Sequence, residues 1–334
     1  MWLAVITVFI GLAVLAWSAD FFIDGATVLA KNLRVPSFLI GVLVLGFGTS
    51  APEMVVSVLA AMQGSPELAL GNAYGSNIMN IALVLGTTAL ISPIVIRQSL
   101  VKHDLPLLVV ITALAIWQLR DGQLSQADGI LLLIALGAVL SFQIVTGLRE
   151  RHSKNRHPSH DKEQIASSSG MIENKPPTSS IAQGMSRLLI GMLMLVISSR
   201  AIVWGAVELA TFWGLSELMI GLTIVAVGTS LPELVASLSA ARKGKHDMAL
   251  GNIIGSNIFN TLGVVGLAAF ITPIAINPVM LSRDIVMVGV LTLLLFALSA
   301  ICLVTNRKFG RAAGAILVLC FFGYTLWLIQ TANM

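Results

Sequence analysis

The chain has 334 residues, of which 56% are hydrophobic and 11% charged, and its formal net charge is +4 at neutral pH. Its mean hydropathy is +0.91. A soluble domain carries about 25% charged residues, so this composition excludes a soluble enzyme, a nucleic-acid-binding protein and a secreted disulfide-bonded domain. We predict an all-α polytopic membrane protein, because backbone exposed to lipid must satisfy its own hydrogen bonds.

Hydropathy predicts ten membrane-spanning helices. In chain order they cover residues 2–30, 36–62, 67–91, 104–119, 125–147, 184–210, 216–241, 247–271, 284–304 and 311–330. A segment rich in Ser, Pro, His and charge separates the fifth helix from the sixth, and this composition predicts a solvated, disordered loop. The predicted organisation is therefore a five-helix unit at 1–148, a loop at 149–183 and a second five-helix unit at 184–334.

The basic residues predict how the chain is oriented in the membrane. If the long loop is cytoplasmic and the spans alternate, 17 of the 20 Lys and Arg residues lie in cytoplasmic loops. Only Arg120 and Arg283 then lie outside, and Arg200 lies within the sixth span. Cytoplasmic loops of membrane proteins carry an excess of Lys and Arg. The bias therefore predicts an even number of spans, a cytoplasmic 149–183 loop and both termini outside.

The two halves of the chain repeat one another at a shift of 180 residues without a gap. GTSAPEMVVSVLAA at 48–61 matches GTSLPELVASLSAA at 228–241, and LGNAYGSNIMN at 70–80 matches LGNIIGSNIFN at 250–260. From Ile40 to Asp104, 29 of 65 residues are identical to their counterparts. Because each half has an odd number of predicted spans, the second enters the membrane from the opposite side. This predicts two inverted-topology five-helix repeats, a construction common in secondary transporters.

The GTSAPE motif places oxygen donors deep inside the second span. Pro52 donates no backbone hydrogen bond and its ring clashes with the carbonyl of Gly48, so we expect the helix to bend or break between them. Thr49, Ser50 and Glu53 supply side-chain oxygens at the same place. A carboxylate far from either end of a span is by default part of a functional site. The second copy repeats the pattern with Gly228, Thr229, Ser230, Pro232 and Glu233.

The GSNIxN motif adds a second group of polar residues. Ser76 and Asn80 are four residues apart and therefore share one face of a helix, and Ser256 and Asn260 repeat this spacing. The other asparagines of the motif are either further ligands or hydrogen-bonding residues between helices; these are Asn72, Asn77, Asn252 and Asn257.

The pooled set consists of carboxylate, amide, hydroxyl and freed backbone oxygens. Such donors suit Ca²⁺ or Na⁺ and disfavour soft transition metals. Two carboxylates balance the charge of one Ca²⁺ or of two monovalent ions. The site is thus expected to hold either one Ca²⁺ or two monovalent ions but not both, which is the property an antiporter needs.

The paired GTSxPE and GSNIxN motifs resemble the two α-repeats of the calcium/cation antiporter superfamily, in its sodium/calcium exchanger branch. The resemblance covers both five-span halves. It implies that Na⁺ entry drives Ca²⁺ export, with the second, third, seventh and eighth helices lining the midplane site and the first and sixth sliding past them. By motif position, the implied ligands are the side chains of Thr49, Ser50, Glu53, Ser76, Asn80, Thr229, Ser230, Glu233, Ser256 and Asn260, with the backbone carbonyls of Gly46 and Ala226.

The resemblance also implies a protein of the prokaryotic plasma (inner) membrane that is a transporter and not an enzyme. Ca²⁺ and Na⁺ are then its transported ions and the lipid bilayer its surroundings. No prosthetic group, nucleic acid or obligatory protein partner is expected.

Asn260 departs from the family pattern, because many exchangers of this type carry Asp there. If that Asp is normally protonated, Asn is a near-isosteric substitute and transport survives. If its charge is used, the stoichiometry or the preferred cation changes.

Three other functions are weighed against Na⁺/Ca²⁺ exchange. Glu53 and Glu233 could carry protons in a Ca²⁺/H⁺ antiporter, and broken helices in inverted repeats also occur in passive cation channels. An intramembrane enzyme with Ser50 or Ser230 as nucleophile is disfavoured, since no matched His or Lys is available as a base.

Overall fold

The computed structural model describes residues 1–156, 179–214 and 226–332. Within them the chain is helical apart from short loops and one pair of two-residue strands. We number the helices α1 (Trp2–Leu33), α2 (Ser37–Met62), α3 (Pro66–Ile91), α4 (Leu100–Leu119), α5 (Gln126–Arg156), α6 (Ile181–Phe212), α7 (Ala226–Thr229 and Leu231–Arg242), α8 (His246–Ile271), α9 (Pro278–Val304) and α10 (Arg311–Ala332).

Nine of these helices, all except α7, are long and apolar enough to cross a membrane, as judged over the described ranges. The chain is therefore an all-α polytopic membrane protein. The seventh predicted span, 216–241, lies partly outside the described residues. Helices α5 and α6 extend into the predicted 149–183 loop, as far as Arg156 and from Ile181, and residues 157–178 of that loop lie outside the described part.

Several helices contain a π-helical stretch, in which each turn holds an extra residue. These stretches are Gly41–Gly46 in α2, Met79–Leu85 in α3, Leu100–Asp104 in α4, Phe259–Val264 in α8 and Leu281–Ile285 in α9. Those of α3 and α8 begin 180 residues apart, at the same point of the sequence repeat. Each includes the last asparagine of its GSNIxN motif, Asn80 in α3 and Asn260 in α8.

In the first copy the helix does not break between Gly48 and Pro52. Helix α2 is α-helical from Phe47 through Pro52, and its irregular turn is the π-helical stretch just before. Neighbouring π turns are a known way for a membrane helix to accommodate a proline. In the second copy the helix is interrupted at Ser230, between Gly228 and Pro232 as predicted.

Helices α1 and α6 pack along most of their length. Near one end, Gly25 lies against the backbone of Gly184 and Leu188, and near the other, Gly205 lies against Ala4. Since residue numbers rise along one helix as they fall along the other, the two helices run antiparallel. They are counterparts in the repeat, and small residues let their backbones approach closely.

The interior of the protein is formed by α2, α3, α7 and α8. Helix α8 is the most buried of the nine candidate spans in the described ranges. Helix α5 packs on α8 through Gly129, whose backbone neighbours are Gly266 and Phe270. Helix α10 packs on α3 in the matching way, through Gly314 and Gly86. Most residues of the GTSxPE and GSNIxN motifs are therefore buried, whereas Thr229 is exposed.

One end of the molecule carries ion pairs between neighbouring elements. At the end of α7, Lys243 Nζ lies 2.7 Å from Asp24 Oδ1 and 3.5 Å from Asp20 Oδ1, both on α1. Ser239 Oγ donates a 2.5 Å hydrogen bond to the same Asp20 oxygen. Arg97 Nε pairs with Asp247 Oδ1 at 2.6 Å, which joins the α3–α4 loop to the start of α8.

Candidate cation site

Two carboxylates are buried among the central helices. Glu53 of α2 is 6% exposed and Glu233 of α7 is 1% exposed. Ser76 Oγ of α3 donates a 2.7 Å hydrogen bond to Glu53 Oε1. Glu53 Oε2 and both carboxylate oxygens of Glu233 have no hydrogen-bond partner among the described residues. Three carboxylate oxygens thus lie inside the protein without a described donor.

The two motifs meet where α2 contacts α8. Thr49 Oγ1 lies 3.3 Å from Ser256 Oγ, and it also donates to Leu45 O at 3.1 Å. Ser256 Oγ is 3.5 Å from the carbonyl oxygen of Gly46. This contact depends on the absence of a side chain at Gly46, since a Cβ there would lie 2.9 Å from the Gly255 Cα. A hydroxyl from each half and the Gly46 carbonyl are therefore neighbours.

Other unpartnered polar atoms fall on the same motifs. Burying a polar group without a hydrogen bond costs free energy, and each such group in a native protein needs an explanation. In the described ranges the side-chain atoms without a partner include Ser50 Oγ, Ser230 Oγ, Asn80 Oδ1 and both Nδ2 and Oδ1 of Asn260. These atoms come from corresponding positions of the two copies. The arrangement leaves oxygen atoms available to a bound cation.

The charges of the site are close together. Glu53 and Glu233 are near enough for mutual electrostatic repulsion, and Asn260 lies beside Glu53. Neither carboxylate forms an ion pair with a basic residue in the parts of the chain described here. A cation entering between them would relieve this repulsion, and hard oxygen donors are what Ca²⁺ and Na⁺ prefer.

Three of the four remaining motif asparagines join neighbouring helices. Asn72 Nδ2 donates to Ser57 Oγ at 3.2 Å, and its counterpart Asn252 Nδ2 donates to Ser237 Oγ at 2.9 Å. Asn77 Nδ2 donates to Thr261 Oγ1 at 2.8 Å. Asn257 bonds to a carbonyl of its own helix. Of the four, Asn252 also comes within 3.4 Å of Thr49 Oγ1 and so touches the predicted ligand set.

Two predicted ligands lie at the edge of the region described. Thr229 ends the short helical segment of α7 and lines the same cavity as Thr49 and Glu53. Ala226 is the first described residue of α7, and its side chain lies outside the described part. Its carbonyl as a ligand stays a prediction.

Motif analysis did not anticipate a cavity of about 380 Å³ beside Glu53, between α2, α6 and α7. Ser199 and Arg200 of α6 lie in its wall. Ser199 Oγ donates a 2.7 Å hydrogen bond to Gly228 O, the carbonyl that Pro232 cannot use in the helix. The proline signals a freed carbonyl four residues earlier, but no sequence pattern identifies the residue that binds it.

Comparison with known proteins agrees with this architecture. The family model described as sodium/calcium exchanger protein matches residues 3–145 and 184–330. The protein CaxA of Alkalimonas amylolytica is 41% identical over 333 residues, covering 99% of this chain and all of CaxA. The sodium/calcium exchanger MaX1 of Methanosarcina acetivorans is 28% identical over 351 residues, covering 96% of each chain. Inner membrane protein YrbG of Escherichia coli is 37% identical, covering 98% of this chain and 96% of its own.

The solved structures include a matching fold. A structure of the sodium-calcium exchanger NCX_Mj superposes with a TM-score of 0.78 at 30% sequence identity, covering 98% of this chain and 99% of that one. The expected family is therefore confirmed, and with it a membrane protein of a cation/Ca²⁺ antiporter family. The chain belongs to the sodium/calcium exchanger protein family.

Proposed function

We propose that this protein exchanges Ca²⁺ for Na⁺ by alternating access at a midplane site built from ten side chains of the two motifs and the backbone carbonyls of Gly46 and Ala226. The observation that carries the proposal is the pair of buried carboxylates, Glu53 and Glu233. Three of their four carboxylate oxygens have no hydrogen-bond partner among the described residues. The relatives MaX1 and NCX_Mj, both named as sodium/calcium exchangers, support the choice of ions.

The charge of the site provides the coupling. One Ca²⁺ neutralises two carboxylates, and so do two Na⁺ ions, whereas both loads together leave excess positive charge in a region of low dielectric constant. Like charges at close range in such a medium repel strongly. Occupancy by one kind of ion therefore excludes the other, and transport of one becomes exchange for the other.

The topology follows from the same proposal. Two inverted five-helix repeats, at 1–148 and 184–334, flank the cytoplasmic 149–183 loop, and both termini lie outside. The antiparallel contact of the counterparts α1 and α6 supports the inversion. Ion pairs and charge contacts also bring together loops that are predicted to be cytoplasmic, such as Arg97 with Asp247 and Lys31 with Lys245. We place the protein in the inner membrane, in agreement with the name of YrbG.

The cavity supports access to the site from one side. Its α6 wall runs from Val196 to Trp204, toward the end of the helix that the basic-residue bias places outside. An ion that enters there reaches Glu53 directly. In this orientation the described conformation is open to the outside.

Flux measurement in proteoliposomes, with Na⁺, K⁺ and pH gradients imposed separately, tests the driving ion. We expect Ca²⁺ uptake to follow an outward Na⁺ gradient and to be accelerated by Na⁺ on the opposite side. Uptake that follows the pH gradient and ignores Na⁺ would instead indicate a Ca²⁺/H⁺ antiporter. Uptake that no counter-ion accelerates would indicate a passive cation channel.

Asn260→Asp is expected to preserve transport and to change ion preference. The substitution adds a carboxyl group beside Glu53, which strengthens attraction for a divalent cation more than for a monovalent one. We expect the apparent affinity for Ca²⁺ relative to Na⁺ to rise by about tenfold. Competition of Na⁺ with Ca²⁺ uptake measures this ratio.

The control for this variant is Asn306→Asp, which adds the same group in an exposed loop after α9. It should leave the Na⁺/Ca²⁺ competition unchanged. An unchanged ratio in Asn260→Asp as well would show that position 260 does not contribute to ion selection.

A further inference from the structure

Arg200 is a basic residue within a predicted membrane span, on the wall of the cavity that contains Glu53. It has no hydrogen bond or ion pair with any residue in the parts of the chain described here. Arg200 is exposed in the structure, and a charged residue within a membrane span by default has a functional role. The two acidic residues of α1 that could have served as its partners, Asp20 and Asp24, are bound to Lys243 instead.

The dimensions of the cavity place the Arg200 charge within reach of an entering ion. Arg200 and Glu53 line the same cavity of about 380 Å³, and exposed charges are largely screened only beyond the Debye length of about 8 Å at physiological ionic strength. Charges that share a cavity of this size are screened incompletely. The side chain of Arg200 brings a positive charge to this cavity.

We propose that Arg200 is a specificity-determining residue, whose fixed positive charge disfavours divalent relative to monovalent cations on the path to Glu53. The inference rests on the proposed function, since it assigns the cavity as the route by which ions reach the exchange site. Electrostatic repulsion is proportional to the charge of the ion. If Arg200 lowers the occupancy by Na⁺ by a given factor, it lowers the occupancy by Ca²⁺ by the square of that factor.

The repeat makes this effect specific to one side of the membrane. The residue 180 positions before Arg200 is Asp20, so the counterpart position on α1 carries the opposite charge. Asp20 accepts a hydrogen bond from Ser239 and lies 3.5 Å from Lys243 Nζ, at the C-terminal end of α7. A route that opened along α1 would present an acidic residue where the route along α6 presents a basic one. Ca²⁺ is therefore disfavoured on the Arg200 side only.

The test is equilibrium binding of ⁴⁵Ca²⁺ and its displacement by Na⁺ in purified Arg200→Gln, with Arg200→Lys as the charge-preserving variant. We expect Arg200→Gln to bind Na⁺ about threefold and Ca²⁺ about tenfold more tightly than the unmodified protein. Arg200→Lys should stay within about twofold for both ions, and Arg200→Glu should tighten Ca²⁺ binding further. Raising ionic strength with choline chloride should shrink all of these differences.

Arg120→Gln provides the matched control, because Arg120 is an exposed cation that stacks on Trp117, remote from the cavity wall. It should leave both affinities unchanged. Equal changes for Na⁺ and Ca²⁺ in Arg200→Gln, or the same change in Arg200→Lys, would overturn the proposal and indicate a structural role.

Flux from the two sides separates this inference from the proposed function. In oriented vesicles, Arg200→Gln should change the apparent Ca²⁺ affinity only when Ca²⁺ is added on the Arg200 side, and an equal change on both sides would contradict the inference. Unmodified protein that binds Ca²⁺ but shows no Na⁺-driven uptake would refute the exchange function, while the binding ratios would still decide the role of Arg200.

Discussion

Glu53→Gln is expected to reduce Ca²⁺ transport by at least roughly thirtyfold, a loss typical of removing one partner of a buried charge pair. The amide preserves the shape of the side chain and can still accept the hydrogen bond from Ser76, so the fold and membrane insertion should survive. What disappears is half of the negative charge that balances a divalent cation. Glu233→Gln should have the same effect, because it removes the other half.

Initial rates of ⁴⁵Ca²⁺ uptake into Na⁺-loaded proteoliposomes measure this loss at matched protein incorporation. Glu208→Gln is the control, since Glu208 is an exposed carboxylate on α6 that is not among the cavity-lining residues. It should transport at nearly the unmodified rate. Normal flux in either Glu53→Gln or Glu233→Gln would contradict the assignment of the site.

Gly251→Ala is expected to destabilise the protein by about 1–3 kcal/mol, the usual cost of adding a methyl group to a tightly packed contact. A Cβ at Gly251 would lie 2.5 Å from the backbone oxygen of Phe38 and 2.9 Å from the Cα of Gly41. Backbone atoms cannot rotate away, so α8 must separate from α2. That separation would also disturb the contact between Thr49 and Ser256 farther along the same pair of helices.

Thermal unfolding in detergent, followed by the loss of the monodisperse chromatographic peak, measures this effect. Gly323→Ala is the control, because no heavy atom of the described residues lies within 4 Å of a Cβ at this exposed position of α10. Its melting temperature should be equal to or slightly above that of the unmodified protein, because Ala favours a helix over Gly. Equal melting temperatures for both variants would show that the contact between α2 and α8 tolerates expansion.

Nine of the ten spans predicted from hydropathy correspond to candidate spans in the described residues, but their ends were predicted less accurately. The fourth span was expected to begin at 104 and begins at Leu100, and the ninth was expected at 284 and begins at Pro278. Charged residues near these ends, such as Asp104 and Arg283, suggest a loop when each residue is judged from its own hydropathy. In the structure Asp104 accepts a hydrogen bond from Gln143, and Arg283 forms an ion pair with Asp284. Tertiary contacts of this kind cannot be inferred from local composition.

The sequence repeat allowed the residues of the candidate site to be predicted. The recurrence of each polar residue after 180 positions identified the two carboxylates, and the structure places them near one another. The repeat offered no signal for Arg200 or for the cavity, because Arg200 has an acidic counterpart and the cavity depends on how α6 packs against α7. The π-helical stretches were also missed, since their extra residue per turn leaves the hydrophobic pattern almost unchanged.

The π-helical stretches of α3 and α8 bear on the history of the chain. A π turn corresponds to one residue inserted into an α-helix, and such insertions are frequent at functional sites. Met79–Leu85 and Phe259–Val264 begin at the same point of an alignment that needs no gap. A residue inserted into one copy after duplication would have shifted that alignment by one. We infer that the insertion is older than the duplication, so that the ancestral half-length protein already had the widened turn around the asparagine that recurs as Asn80 and Asn260.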